Sequence, residues 1–215
     1  MKRCSLLATL FLLLLGGFAF ADISIDFLDR RTEVRYFDLG GVDSQFIDHR
    51  SDLSGPYSQD LAIDVGDLHA RSIHESSVVV AGADLSVSGS YLSEVSDTSG
   101  SLNGQLEALA LTGIRFTVSE TSFMSLDVTL DGGELFFFDL TTNEGGLDVA
   151  GPGHFVLDDV LVAGHEYLFQ VSHLVGIFGP AKAAGSLSAA FTLEVSNQPV
   201  ATSAASWGGV KALFR

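Results

Sequence analysis

Apolar and polar residues alternate along most of this chain. In ISIDFLD, Ile23, Ile25 and Phe27 fall on one face, and EVRYFDL (Glu33 to Leu39) gives a less regular second candidate. Alternation with a period of two marks strands with one buried face. LAIDV (Leu61 to Val65) is a short further candidate, and the polar stretch before it, Gly40 to Asp60, reads as a long loop with room for one short strand. From Ser76 the pattern is regular: SSVVVAG, then DLSVSGSYL (Asp84 to Leu92), then a polar loop from Ser93 to Gln105. LEALALTGIRFTV shifts phase around Gly113, which predicts a bulge or bend. SFMSLDVTL places Met124, Leu126, Val128 and Leu130 on one side, and Asp131-Gly132-Gly133 turns the chain into ELFFFDL. Asp-Gly between two alternating runs predicts a hairpin.

Thr141 to Gly153 reads as a Gly-rich loop. HFVLDDVLV (His154 to Val162) and HEYLFQVSHLVG (His165 to Gly176) follow, and IFGPAKAAG reads as a loop. SLSAAFTLEV then points Leu187, Ala189, Phe191, Leu193 and Val195 inward. The pattern predicts about nine to twelve short strands and no long 3.6-residue periodicity. That implies an all-β fold: a single antiparallel β-sandwich, jelly-roll-like, closed by its C-terminal strand. A β-solenoid is the rival, but no fixed repeat length is present.

The two ends differ from this body. MKRCSLLATLFLLLLGGFAFA carries Lys2 and Arg3, an apolar run, and the small-x-small ending Ala19-Phe20-Ala21. This predicts a secretory signal peptide over residues 1–21, since the apolar run is short for a spanning helix. The sandwich domain is expected over 22–196, a linker over 197–205, and a tail over 206–215. In the tail SWGGVKALFR, Trp207, Val210 and Phe214 share one helical face, and Lys211 and Arg215 make it basic. Ten residues are too few for a stable free helix. The tail therefore reads as a short amphipathic helix that docks on a surface, with Trp207, Val210, Lys211, Phe214 and Arg215 as its contacts.

Composition narrows the function classes. Cleavage after Ala21 takes 21 of the 215 residues, including the one cysteine, Cys4, and leaves 194 without a thiol. A disulfide framework, Cys-ligated zinc and a Cys nucleophile are excluded for that product. The precursor has a formal net charge of −16, and loss of Lys2 and Arg3 makes it −18. Such a charge disfavours nucleic acid and anionic lipid. No second long apolar segment follows the signal, so no membrane span is expected in the mature chain.

Candidate chemistry is sparse. G-x-S-x-G, the P-loop and H-E-x-x-H are absent. His69 and His74 with Asp67 make a candidate metal set, although a five-residue spacing puts the two histidines on opposite faces of a strand. His165, Tyr167 and Phe169 share one strand face, with His173 further along it, a candidate ligand-binding face on which aromatic rings would stack against sugars. Asp139, Asn143, Glu144 and Asp148 are candidate oxygen donors for a structural calcium, although their spacing departs from the EF-hand loop. No pair of the 27 acidic residues stands out as a glycosidase dyad. No other cofactor is implied.

LVAGHEYLFQVSHL (Leu161 to Leu174) followed by GSLSAAFTLEV (Gly185 to Val195) resembles small secreted bacterial β-sandwich proteins, many of which carry a PEP-CTERM sorting tail. The resemblance covers the final third of the body. The chain departs from that family in having no Pro-Glu-Pro, no apolar anchor helix and no terminal Arg cluster. Its ending resembles a W-G-x-x-K-x-L-[FY]-R type of terminus on exported bacterial proteins, here Trp207, Gly208, Lys211, Leu213, Phe214 and Arg215. The sequence therefore predicts an exported, non-enzymatic sandwich with a structural or binding role at the cell surface or outside the cell. Its partner would be a surface or a glycan. A carbohydrate-binding module and a secreted hydrolase are the alternatives.

Overall fold

The computed structural model describes residues 22–198 except 42, 52 and 53. The expected signal segment, most of the linker, and the tail with Trp207, Val210, Lys211, Phe214 and Arg215 lie outside the described residues. Among the described residues there are twelve strands and no helix, and so none long and apolar enough to cross a membrane.

The strands form two six-stranded sheets, numbered here in chain order. The first runs β2 (Asp43–Arg50), β1 (Ile23–Asp38), β6 (Gly104–Val118), β11 (Glu166–Phe178), β8 (Glu134–Asp139), β9 (Glu144–Ala150). The second runs β10 (Gly153–Leu161), β7 (Ser122–Leu130), β12 (Ala183–Ser196), β5 (Asp84–Asp97), β4 (Leu68–Ala81), β3 (Gly55–Val65). Every neighbouring pair is antiparallel. Inward side chains of both sheets meet in one core, which makes the fold all-β and β-sandwich-like.

Several local expectations are corrected. The two N-terminal candidates are one strand of 16 residues, β1. The stretch read as a long loop from Gly40 to Asp60 holds β2 and the start of β3. The loop expected from Ser93 shrinks, because β5 continues to Asp97. The Gly-rich stretch after Thr141 contains β9, paired with β8. IFGPAKAAG likewise gives most of its length to the ends of β11 and β12. At Gly113, β6 keeps register with both β1 and β11, and the irregularity lies between Ile25 and Phe27 of β1 instead. The Asp131-Gly132-Gly133 turn is not a hairpin: β7 belongs to one sheet and β8 to the other. Gly133, at φ 104°, carries the chain between sheets tightly against β11, where a Cβ would collide with the Ser172 carbonyl and the Cβ of His173.

The interior has two apolar clusters. The larger includes Leu28, Val78, Leu126, Phe116, Phe169 and Phe191. The smaller includes Val34, Ile63, Ala70, Val95 and Leu106. Buried Asp97 closes the loop after β5 beside the smaller one. Its Oδ2 accepts from the Leu102 amide at 2.9 Å, and its Oδ1 accepts from those of Gly100 at 2.7 Å and Ser99 at 3.0 Å. Burial alone would raise its pKa, but the amides of Leu102, Gly100 and Ser101 outweigh burial and hold it below the usual carboxylate range.

A hydroxyl-lined groove over a buried polar seam

Between the two apolar clusters the inward positions turn polar on several adjoining strands. On β1 they are Arg30 and Thr32, on β4 Ser72, His74 and Ser76, on β5 Ser93, on β6 Thr112 and on β11 His173, all buried. Strand periodicity forces this layout: residues two apart share a face, so H-x-S at His74 and Ser76 puts imidazole and hydroxyl side by side. Tyr57 from β3 and Tyr91 from β5 complete the seam. The His74 ring lies edge-on between them, with both centroid distances 4.6 Å. Arg30 donates through Nη1 to the Gly55 carbonyl at 2.6 Å and lies over the Tyr57 ring.

The partners define the state of each imidazole. His74 Nδ1 faces the Arg31 carbonyl at 3.2 Å, and a carbonyl only accepts, so Nδ1 carries the proton. Nε2 then accepts from the hydroxyls of Ser76 and Thr112, each 3.0 Å away. Burial pushes the His74 pKa down to about 3; the Arg31 carbonyl opposes this, and the Arg30 charge adds to it. Burial lowers His173 to about 4.

His173 belongs to a second chain of hydrogen bonds. Ser72 donates to the Leu109 carbonyl at 2.8 Å. Ser93 therefore gives its proton to Ser72 at 3.2 Å, and His173 Nε2 donates to Ser93 at 3.2 Å. That leaves Nδ1 of His173 buried without a hydrogen-bond partner among the described residues.

A groove lies on the outer face of the same strands. It has a volume of about 420 Å³, lies over β3, β4 and β5, and is lined by Pro56, Tyr57, Ser58, Glu75, the serines 76, 77, 88 and 90, and Gly89. Ser76 borders the groove, but its hydroxyl is on the inward face of β4, where it bonds His74. A serine, an imidazole and an orienting carbonyl in line have the connectivity of an activated nucleophile. The electrostatics oppose that role: an imidazole held to about 3 is too weak a base at neutral pH.

The residues singled out from sequence fall elsewhere. His165, Tyr167 and Phe169 do share a face, but it points into the core. Tyr167 is 3% and Phe169 0% exposed, and they pack on Phe137 and Phe191 rather than offering a stacking surface to solvent. His165 Nδ1 meets Asp139 Oδ2 at 2.7 Å. Asp139 Oδ1 accepts from the amides of Thr141 and Thr142 at 2.9 and 3.1 Å, so both oxygens are engaged. Burial raises the Asp139 pKa, but His165 and these amides prevail and lower it. Asn143, at φ 56°, forms the turn into β9, and Glu144 pairs with Asp139 in register. Asp148 pairs with Phe136 towards the other end of β8, so the four candidate calcium donors are not gathered. Among the described residues no group of three or more His, Cys, Asp or Glu side chains could hold a metal ion. His69 projects to the outer face, with Nδ1 2.7 Å from Asp64, opposite to His74.

The seam itself was missed. The H-x-S pattern at His74 was the available signal, but it becomes one only once β4 is known to run from Leu68. No protein-family model matches the chain, and no curated protein matches it.

Proposed function

We propose that this is an exported sandwich protein, jelly-roll-like in design, with a structural or binding role at the cell surface or outside the cell. In this reading residues 1–21 are a cleaved secretory signal and Ser206 to Arg215 are a short helical docking tail. The observation that carries the non-catalytic part is His74. The imidazole bonded to the inward-facing Ser76 hydroxyl is locked neutral in the core, which suits a structural hydrogen bond and not proton transfer. The export part is supported by the charged start, apolar run and small-x-small ending of the N-terminus.

Fractionation of cells expressing the full chain, with mass measurement of the product, tests export. The expected product begins at Asp22 and lies outside the cytoplasm. Removing Ser206 to Arg215 should change where it accumulates without lowering its melting temperature. Fluorogenic ester and glycoside substrates test the other half. Turnover that disappears in Ser76→Ala would establish a hydrolase and overturn the reading.

A further inference from the structure

We infer that the outer face of the first sheet docks a second copy of this chain. The two copies meet face to face about a two-fold axis that lies between β6 and β11 and runs close to the strand direction. This surface is not used by the reading above, and the inference holds whether the chain has a structural or a binding role.

The two outer faces differ. An antiparallel sheet with one face on the core presents polar residues on the face that meets water. The second sheet does so, with Ser86, Ser88 and Thr192 at outward positions of β5 and β12. The first sheet does not. At outward positions of β1, β2 and β11, Phe27 is 46%, Ile47 49%, Leu174 51% and Phe178 67% exposed. Leu109 of β6 lies between Ile47 and Leu174, and Phe136 and Phe138 of β8 extend the face with ring centroids 6.4 Å apart. An apolar face of this extent marks an interaction site. Charged side chains stand among the apolar ones, including Arg115 and Glu107 of β6. A bilayer interior excludes such charges, so the face suits a protein surface rather than lipid.

The register selects the occupant. Outward residues form rows that cross the strands at one level. A two-fold axis between β6 and β11 lays β1 of one copy on β8 of the other, and β6 on β11, row on row. One row reads Phe27, Arg115, Leu168, Phe138, so Phe27 meets Phe138 of the other copy. A second reads Arg31, Leu111, Ser172, Glu134, so Arg31 meets Glu134. A third reads Glu33, Leu109, Leu174, so Leu109 meets Leu174. Ring faces ring, leucine faces leucine and guanidinium faces carboxylate, and symmetry makes each contact twice. Aligned sheets pack in this way about 10 Å apart. The six strands are about 24 Å across and the three longest run together for about 34 Å, so the face offers roughly 800 Å². A standard interface takes about 800 Å² from each side. The net charge of −16 repels copies at long range, and salt at about 0.15 M screens that repulsion beyond about 8 Å.

Sedimentation velocity of the purified chain over a concentration series tests this. A monomer–dimer equilibrium in the micromolar range is expected. Leu174→Asp buries two carboxylates in the interface and should weaken the dimer roughly a hundredfold, with an unchanged melting temperature for the monomer. Arg31→Glu and Glu134→Arg should each weaken it roughly tenfold, and the two together should restore it, which a change in folding alone would not do. Val79→Asp, on the outer face of the second sheet, should leave it intact. A chain that stays monomeric throughout the micromolar range overturns the inference. So does a dimer that survives Leu174→Asp, or a charge exchange that restores nothing. If the full chain is monomeric and removal of Ser206 to Arg215 makes it dimerise, the tail is the occupant and the inference fails. If the monomer binds neutral phosphatidylcholine vesicles through Leu174, the face belongs to lipid and the inference fails likewise.

Discussion

The seam and the larger apolar cluster beside it are equally hidden from water, yet different forces hold them. Around Phe169 and Phe191 the contacts are non-directional, and stability scales with the apolar area removed from water. Around His74 and His173 each group needs a partner at a set angle, and the protonation state of two imidazoles decides whether the partners fit. One interior thus contains a region indifferent to pH and a region tuned to it.

Acid should separate them most. Both histidines have folded pKa values, about 3 and about 4, far below the usual value of 6.5. The unfolded chain takes up these protons first as pH falls, so stability is complete above 6.5 and drains away towards the folded values. Between pH 7 and pH 4 the seam should lose roughly 5 kcal/mol, measured as a fall in the urea midpoint. His173→Gln should flatten that slope, and a midpoint unchanged over this range would refute the neutral-imidazole description. Phe169→Ala should cost about 4 kcal/mol through the cavity it leaves, and by the same amount at either pH. Ser93→Ala removes one hydroxyl but strands His173 Nε2 and breaks the link to Ser72, for about 2 kcal/mol. If its cost matched that of an exposed serine, the relay from His173 to the Leu109 carbonyl would be unsupported.

The same contrast explains what could be read in the sequence. Strands crossing only the apolar cluster announced themselves: Met124, Leu126, Val128 and Leu130 of β7, and Leu187 to Val195 of β12, alternate visibly. Strands crossing the seam did not. In β1 the inward series Leu28, Arg30, Thr32, Val34 places two polar residues where a core face is expected, so one strand looked like two. In β4, Ser72, His74 and Ser76 hid the first half of the strand. In β6, Thr112 sits between Ala110 and Ile114 and imitated a phase shift at Gly113. The Asp131-Gly132-Gly133 turn failed for another reason. Turn chemistry fixes a reversal of the chain, but the partner of each strand is settled by distant residues. The aromatic face at Tyr167 was located correctly as a face, yet alternation alone does not say which side of a sheet meets water.

Strand β12 has a kinetic consequence. It is the last strand described, and it lies in the middle of its sheet, pairing with β5 through thirteen residues and with β7 through eight. Until it arrives, β5 and β7 have no partner on those edges, and Phe191 cannot close over Gly89. The centre of the sheet is therefore laid last, by contacts reaching from Val195 back to Leu85. A topology of such long-range pairings folds slowly, on a scale of about milliseconds to seconds, and commits only when nearly the whole chain is present.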